Sequence, residues 1–225
     1  MATPATDRKR DTHREPLTRE RILRAALELI DRDGLEALSM RRLGAELDVE
    51  AMSLYNHVPG KDALLEGVAE AMLAEIELPS VRGDDWATAL KSACLSFRRV
   101  LLAHPNGIPL IAGKSDVTPD GYRPVELSLG ILKEAGFPPE SMLMAHWLLV
   151  GYTLGHAGFQ ISTPMAQPDR VTEQIELRHQ MLPAEEFPNL FEVLPFAAEC
   201  DFDAAFEFGL DTIIAGLTLR LRQSP

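Results

Sequence analysis

Ser39-Met-Arg-Arg-Leu-Gly-Ala-Glu-Leu-Asp-Val-Glu-Ala-Met-Ser-Leu-Tyr-Asn-His-Val-Pro-Gly-Lys61 reads as two short helices joined by a tight turn. Ser39 can cap the first helix, with Leu43 and Leu47 facing inward. Asp48 and Val49 make the turn, and Asp tolerates left-handed geometry better than most residues. The second helix covers about Ala51 to His57, and Pro59-Gly60 breaks the chain after it. It is too short to persist alone, so packing must hold it, yet it is crowded with side chains that can touch DNA. This spacing is the helix-turn-helix signature.

Upstream, Thr18 is placed to cap a first helix running to about Arg32, with Leu17 and Ile22 as a hydrophobic staple. Ile22, Leu23, Ala26, Leu27 and Ile30 form one apolar stripe, and Gly34 supplies a left-handed stop. Met1–Pro16 is low in apolar residues and carries Arg8, Lys9, Arg10 and Arg14. It is expected to be a flexible arm, either a plain solvated tail or a basic segment reaching the DNA backbone or minor groove. It has no apolar core, so it is not read as a secretory signal. Downstream, a long helix starts near Lys61 with the stripe Leu64, Leu65, Val68, Met72, Leu73 and Ile76, ending before Pro79.

Helical patterns continue to the end, and no period-2 strand is legible, so the expected class is all-α. Further helices are expected over 84–103, around 108–112, from Thr118-Pro119 to about Ala135, and from Pro138-Pro139 to about Ile161. Residues 163–182 read as a mobile connection with a helical turn or more around 171–180. Helices over 190–200 and 203–222 close the chain. The helix from Glu140 to Ile161 is apolar almost all round and holds Gly151, Gly155 and Gly158, which permit close approach of another helix. The final helix, with Phe206, Phe208, Leu210, Ile213, Ile214, Leu217 and Leu221, is similarly rich. Both helices either line the core or build a self-complementary four-helix interface in a two-fold dimer.

A net charge of −12 is unusual for a DNA binder, but its distribution resolves the conflict. Residues 1–66 hold 11 Lys/Arg against 13 Asp/Glu, and residues 67–225 hold 11 against 21, so the acidity sits away from the candidate reading helix. Beyond a Debye length of about 8 Å that acidity is screened. The expected division is a basic arm over 1–16, a helix-turn-helix DNA-binding domain over 17–66, and an effector-binding and dimerisation domain over 67–225. No apolar run approaches the ~20 residues that span a bilayer, so no membrane role and a cytoplasmic location are expected. Cys94 and Cys200 lack metal-ligand spacing and read as two buried thiols, with no metal or cofactor implied.

From Thr18 to about Leu78 the chain resembles the TetR family of bacterial transcriptional regulators. The residues that carry the likeness are the Asp33-Gly34 stop, Arg-Arg-Leu-Gly-Ala-Glu-Leu, Ser-Leu-Tyr-Asn-His-Val and Lys-Asp-Ala-Leu-Leu. Within the family it is most similar to the tetracycline repressor class, with fainter similarity to Gln160. The resemblance implies a dimeric, ligand-responsive regulator, by family default a repressor, that leaves a palindromic operator when a small molecule binds the C-terminal domain. Position by position it implies that Tyr55, His57 and Lys61 hold phosphates, that Arg41 reads a guanine, and that Ala51, Met52 and Ser53 face base edges. Asn56 would reach a base or phosphate. Where the tetracycline class has a glutamine and a proline, this chain has Ala51 and Met52, so its operator should differ.

On the residues alone, Arg41 and Arg42 could be a solvated face, and His57 could merely cap its helix. Candidates for an effector pocket are Phe97, Leu101, His104, Trp147, Tyr152, His156 and Phe159, each with a plain core role as the alternative. At the positions that chelate the metal–drug complex in the tetracycline class this chain offers Ile111, Lys114 and Phe159. A largely apolar effector of unknown identity is therefore expected, given the Met- and aromatic-rich helices. The alternative is a helical DNA-binding adaptor without an effector. An enzyme is disfavoured: Gly107 is one residue too far from Gly113-Lys114-Ser115 for a phosphate loop, and GxSxG and HExxH are absent.

Overall fold

Thr18 starts the first helix as the sequence requires. Its hydroxyl accepts the Arg21 N–H at 3.2 Å and opens α1 (Arg19–Asp33). Gly34, at φ 85°, returns its N–H to the Ile30 carbonyl and ends it. The computed structural model describes residues 16–77, 85–112, 119, 121–197 and 199–223. The expected arm over 1–16 lies outside them except for Pro16.

Ser39 caps α2 (Met40–Glu46) by accepting the Arg42 N–H at 3.2 Å. The turn to α3 (Ala51–Leu54) passes through Asp48 at φ 54°, the one non-glycine residue with positive φ among those described. An aspartate here holds a conformation that costs a side-chain-bearing residue roughly 1 kcal/mol. Gly44 is fixed by a different demand. A Cβ on it would sit 2.9 Å from the Val49 carbonyl oxygen and 3.2 Å from the Ala51 nitrogen, both backbone atoms of the turn and α3. Only glycine lets α2 approach α3 this closely. The helix expected over Ala51–His57 ends at Leu54, and residues 55–57 form a turn. Pro59 disfavours helical geometry at Val58, and the His57 and Val58 N–H groups both close on the Leu54 carbonyl.

The remaining helices are α4 (Lys61–Ala74), α5 (Trp86–Ala103), α6 (Ile108–Ala112), α7 (Arg123–Glu134), α8 (Pro139–Ser162), α9 (Pro168–Met181), α10 (Pro188–Ala197) and α11 (Phe202–Gln223). No strand occurs among the described residues, and the chain is all-α. Three further sequence expectations change. The helix expected from Thr118-Pro119 begins at Arg123, and Pro119 lies in a turn; Thr118 is outside the described residues. A start at Pro119 would have put Pro124 in the helix interior, where it removes a hydrogen bond and clashes one turn back. The connection expected over 163–182 is a 3-10 turn at Pro164–Ala166 followed by the fourteen-residue α9. Pro168 sets its start. Finally, Cys94 is buried as expected but Cys200 is exposed.

Two apolar cores organise the molecule. The first gathers Ile22, Leu29 and Ile30 of α1, Leu43, Leu54, Val58, and Leu64, Val68 and Met72 of α4, and reaches Val100 of α5 and Leu110 of α6. The second joins Leu90 and Cys94 of α5, Ile131 and Leu132 of α7, Ala145 and Leu149 of α8, and Phe206, Leu210 and Leu217 of α11. α4 thus packs with the helix-turn-helix along its length, and its end meets α5 and α6. Around α8 the buried residues, Ala145, Leu149, Thr153 and Ala157, recur every fourth position. Its other side leaves Leu143, Met144, Trp147, Leu148 and Phe159 exposed.

Candidate DNA-reading surface and effector cavity

α3 is anchored by one fully buried side chain, Leu54, with Val58 just beyond it. That anchoring turns the rest of the segment outward: Met52 is 71% exposed and Tyr55 44%, and Asn56 and His57 are exposed. Ala51 and Ser53 are half-buried at its start.

The basic residues around it divide into two groups by their partners. Arg42 is held by Asp33 at 2.6 Å, Arg32 by Glu46 at 2.9 Å and by Asp33 at 3.0 Å, and Arg19 by Glu70 at 3.1 Å. Arg41 and Lys61 are exposed and make no hydrogen bond or ion pair with the described residues. Their charge is available to an external anion. Lys61 opens α4, whose N-cap Gly60 offers no side-chain cap, and a helix N-terminus favours an anion.

At the other end of α4 lies a cavity of about 200 Å³. α4 contributes Leu73 and the following Ile76; α5 contributes Leu90, Ala93, Cys94 and Phe97; α6 contributes Ile111. Gly121, Tyr122, Pro124, Val125 and Ser128 around the start of α7, and His146, Leu149, Val150 and Thr153 of α8, complete the wall. Burial pushes the Cys94 thiol up to about 11, and lowers His146 below the usual histidine value. Both groups are therefore neutral at physiological pH.

Of the seven expected pocket residues, Phe97 lines this cavity. Leu101 is fully buried in packing, and Trp147 and Phe159 stand on the exposed side of α8. Tyr152 lies against α11, its ring stacked 5.2 Å from Phe206 and its hydroxyl donating to the Phe206 carbonyl at 3.0 Å. It fills the notch left by Gly209, where a Cβ would overlap its hydroxyl. His156 packs edge-on to Phe206, beside the buried Arg98 that lies 4.9 Å over the same ring and pairs with Asp203 at 2.7 Å. Burial, aided by the Arg98 charge, lowers the His156 pKa.

His104 has a different place. It caps α5, and its Nδ1 lies 2.7 Å from Asp31 of α1 while its Nε2 lies 3.1 Å from Glu75 beyond α4. Asn106 adds two bonds, its amide donating to the Ile30 and Asp31 carbonyls at 3.2 and 3.0 Å. The α5–α6 corner is thereby stitched to the ends of α1 and α4. Burial alone would depress the His104 pKa, but its bonds to Asp31 and Glu75 outweigh it and raise the value above 6.5. A raised folded pKa stabilises below the unfolded value and loses that stabilisation as pH rises through the folded one. The melting-temperature advantage of wild type over His104→Ala is therefore expected to be fullest below the ordinary histidine value of about 6.5 and to shrink as the pH rises above it. A gap that does not change with pH in thermal unfolding would show that no charge on His104 is involved.

The sequence singled out neither Ser128, His146 nor Thr153, three of the polar residues of the cavity wall, nor Asp31, Glu75 and Asn106. A polar residue inside the apolar run of α8 was the available signal for His146, as it was for His156.

Residues 22–68 match the family described as bacterial regulatory proteins, tetR family, and residues 78–221 match the tetracyclin repressor-like C-terminal domain. The chain is 35% identical over 203 residues to the class C tetracycline repressor of Escherichia coli, covering 89% of this chain and 90% of that one. It is 32% identical over 201 residues to an HTH-type transcriptional regulator of Saccharopolyspora erythraea, with 89% and 84% covered. Among solved structures it is similar to the TetR family protein ActR of Streptomyces coelicolor. The apo form gives a TM-score of 0.79 at 34% identity, covering 94% of this chain and 99% of ActR. The complex of ActR with actinorhodin gives 0.78 at 36%, covering 90% and 96%.

Proposed function

The chain belongs to the TetR family of bacterial regulatory proteins, and from that premise we propose that it is a dimeric repressor that releases a palindromic operator when a small, largely apolar effector fills the cavity. The DNA-binding domain is residues 17–66, and residues 67–225 bind the effector and dimerise. Tyr55, His57 and Lys61 hold phosphates, Arg41 reads a base, and Ala51, Met52, Ser53 and Asn56 set the operator preference. The protein works in the cytoplasm; no helix among the described residues is long and apolar enough to cross a membrane.

The observation that carries the reading is the reach of α4. Lys61 stands at its start, and Leu73 and Ile76 at its far end form part of the cavity wall. Fourteen residues of helix span about 21 Å, so a shift of the wall by an effector is carried rigidly to the DNA contacts. A ligand can weaken DNA binding only if it prefers the conformation in which the two reading helices are misspaced for successive major grooves. A coupling of about 1–3 kcal/mol is expected.

Selecting genomic fragments bound by the purified protein should yield a short palindrome whose half-sites lie about one or more helical turns apart. Fragments enriched without two-fold symmetry, or no enrichment at all, would refute this function.

A further inference from the structure

The polar atoms of the cavity wall define what an effector must bring. The Ser128 hydroxyl lies 2.9 Å from the Val125 carbonyl oxygen and 2.7 Å from Nδ1 of His146. A carbonyl has no proton to give, so the serine's single proton occupies the first contact. The second then needs its proton from the ring, and Nδ1 is the donor. Burial keeps this imidazole neutral, so its other nitrogen, Nε2, carries none. Nε2 has no partner among the described residues, and the ring lines the cavity.

Of the other polar residues lining the cavity, Tyr122 is 50% exposed to solvent, and Thr153 and Cys94 are enclosed. Thr153 donates its hydroxyl proton to the Leu149 carbonyl at 2.8 Å, and burial keeps the Cys94 thiol protonated. No Lys, Arg, Asp or Glu appears among the described residues lining the cavity. A charged ligand would be desolvated there without compensation.

We propose that the cavity selects a neutral, largely apolar molecule with a hydroxyl or N–H donor, received by Nε2 of His146, with Ser128 as the positioning residue that fixes the imidazole tautomer. This rests on the reading of the cavity as the effector site. An acceptor-only ligand of the same shape is rejected because two acceptors then face each other. The serine makes the discrimination one-sided: without it the imidazole proton is free to move to Nε2 and serve an acceptor instead.

The test uses the full-length protein with three probes, 2-naphthol, 2-methoxynaphthalene and naphthalene, in calorimetric titrations. Wild type should bind 2-naphthol about tenfold tighter than its methyl ether. In His146→Phe that preference should vanish while naphthalene binds as before. In Ser128→Ala it should fall toward unity although His146 is present, a change that lost packing alone would not produce. Equal affinity of wild type for naphthol and ether, or a preference that survives in His146→Phe, overturns the proposal and leaves the cavity standing. Val150→Trp, or Ala93→Phe should the first fail to fold, fills the cavity. If none of the probes binds wild type, or if filling does not abolish binding, the effector-site reading falls and the proposal with it.

Discussion

Replacing Trp147 and Phe208 together with glutamate will give a folded chain that sediments as a monomer and no longer retains operator DNA. Trp147 is 65% exposed and Phe208 77%, values that an isolated monomer does not leave on large aromatics without reason. Met144, Leu148 and Phe159 share α8 with Trp147, and Leu219 lies on α11. The glycines of α8 point the same way. A Cβ on Gly151, Gly155 or Gly158 would meet nothing within 4 Å, so no contact among the described residues requires them. Small residues on an apolar exposed helix admit a second helix at close range. α8 and α11 already pack together through Tyr152 and Phe206, so in the proposed dimer two such two-helix faces would close a four-helix interface.

Four introduced carboxylates, two from each copy, would have to be buried in that interface. Each such burial costs several kcal/mol, enough to dissociate a dimer whose chains fold independently. The loss of DNA binding then follows from valency. A dimer engages its second half-site intramolecularly, and losing that advantage weakens binding by about 10² to 10⁴-fold. Sedimentation and a mobility-shift assay on the same sample decide the matter. A variant that remains dimeric with unchanged operator affinity would mean that these faces serve something else.

What could be read from sequence was what is decided locally. Thr18, Gly34 and Ser39 act within a turn of their own position, and each caps or stops its helix as expected. The expected helix start at Pro119 failed because Pro124, five residues on, has the stronger claim on a helix N-terminus. α9 was underestimated because only Val171 of its described side chains is buried, leaving little apolar stripe to see.

Long-range partnerships were invisible. Arg41 and Arg42 are neighbours of identical type, and the one difference that matters is the carboxylate of Asp33, nine positions earlier, which takes Arg42 and leaves Arg41. His104 was placed among pocket candidates on composition, but its partners come from α1 and the end of α4, 73 and 29 residues away. The cavity's polar wall is equally non-local. Ser128 and His146 meet only because α7 folds back on α8.

That division among the basic residues sets the expectation for DNA contacts. Tyr55→Ala and Lys61→Ala will each lower affinity for every sequence tested, while the dimer and probe binding remain intact. Phosphate contacts carry no base information, so the loss should be uniform across operator variants. If Lys61 holds a phosphate as proposed, Lys61→Ala removes one such contact from each half-site. The slope of log affinity against log salt should therefore become shallower by about 2 for the dimer, from about 0.9 per contact. Arg41→Ala should behave differently, costing about 1–3 kcal/mol on the preferred operator and relaxing selection at one position of each half-site. Arg42→Ala is the internal control. Its guanidinium is spent on Asp33 at 2.6 Å, across an exposed pair worth at most about 1 kcal/mol, so operator affinity should barely move. If Arg42→Ala weakened binding as much as Lys61→Ala, or if the salt slope of Lys61→Ala matched wild type, the partition of these cations into locked and free would be wrong.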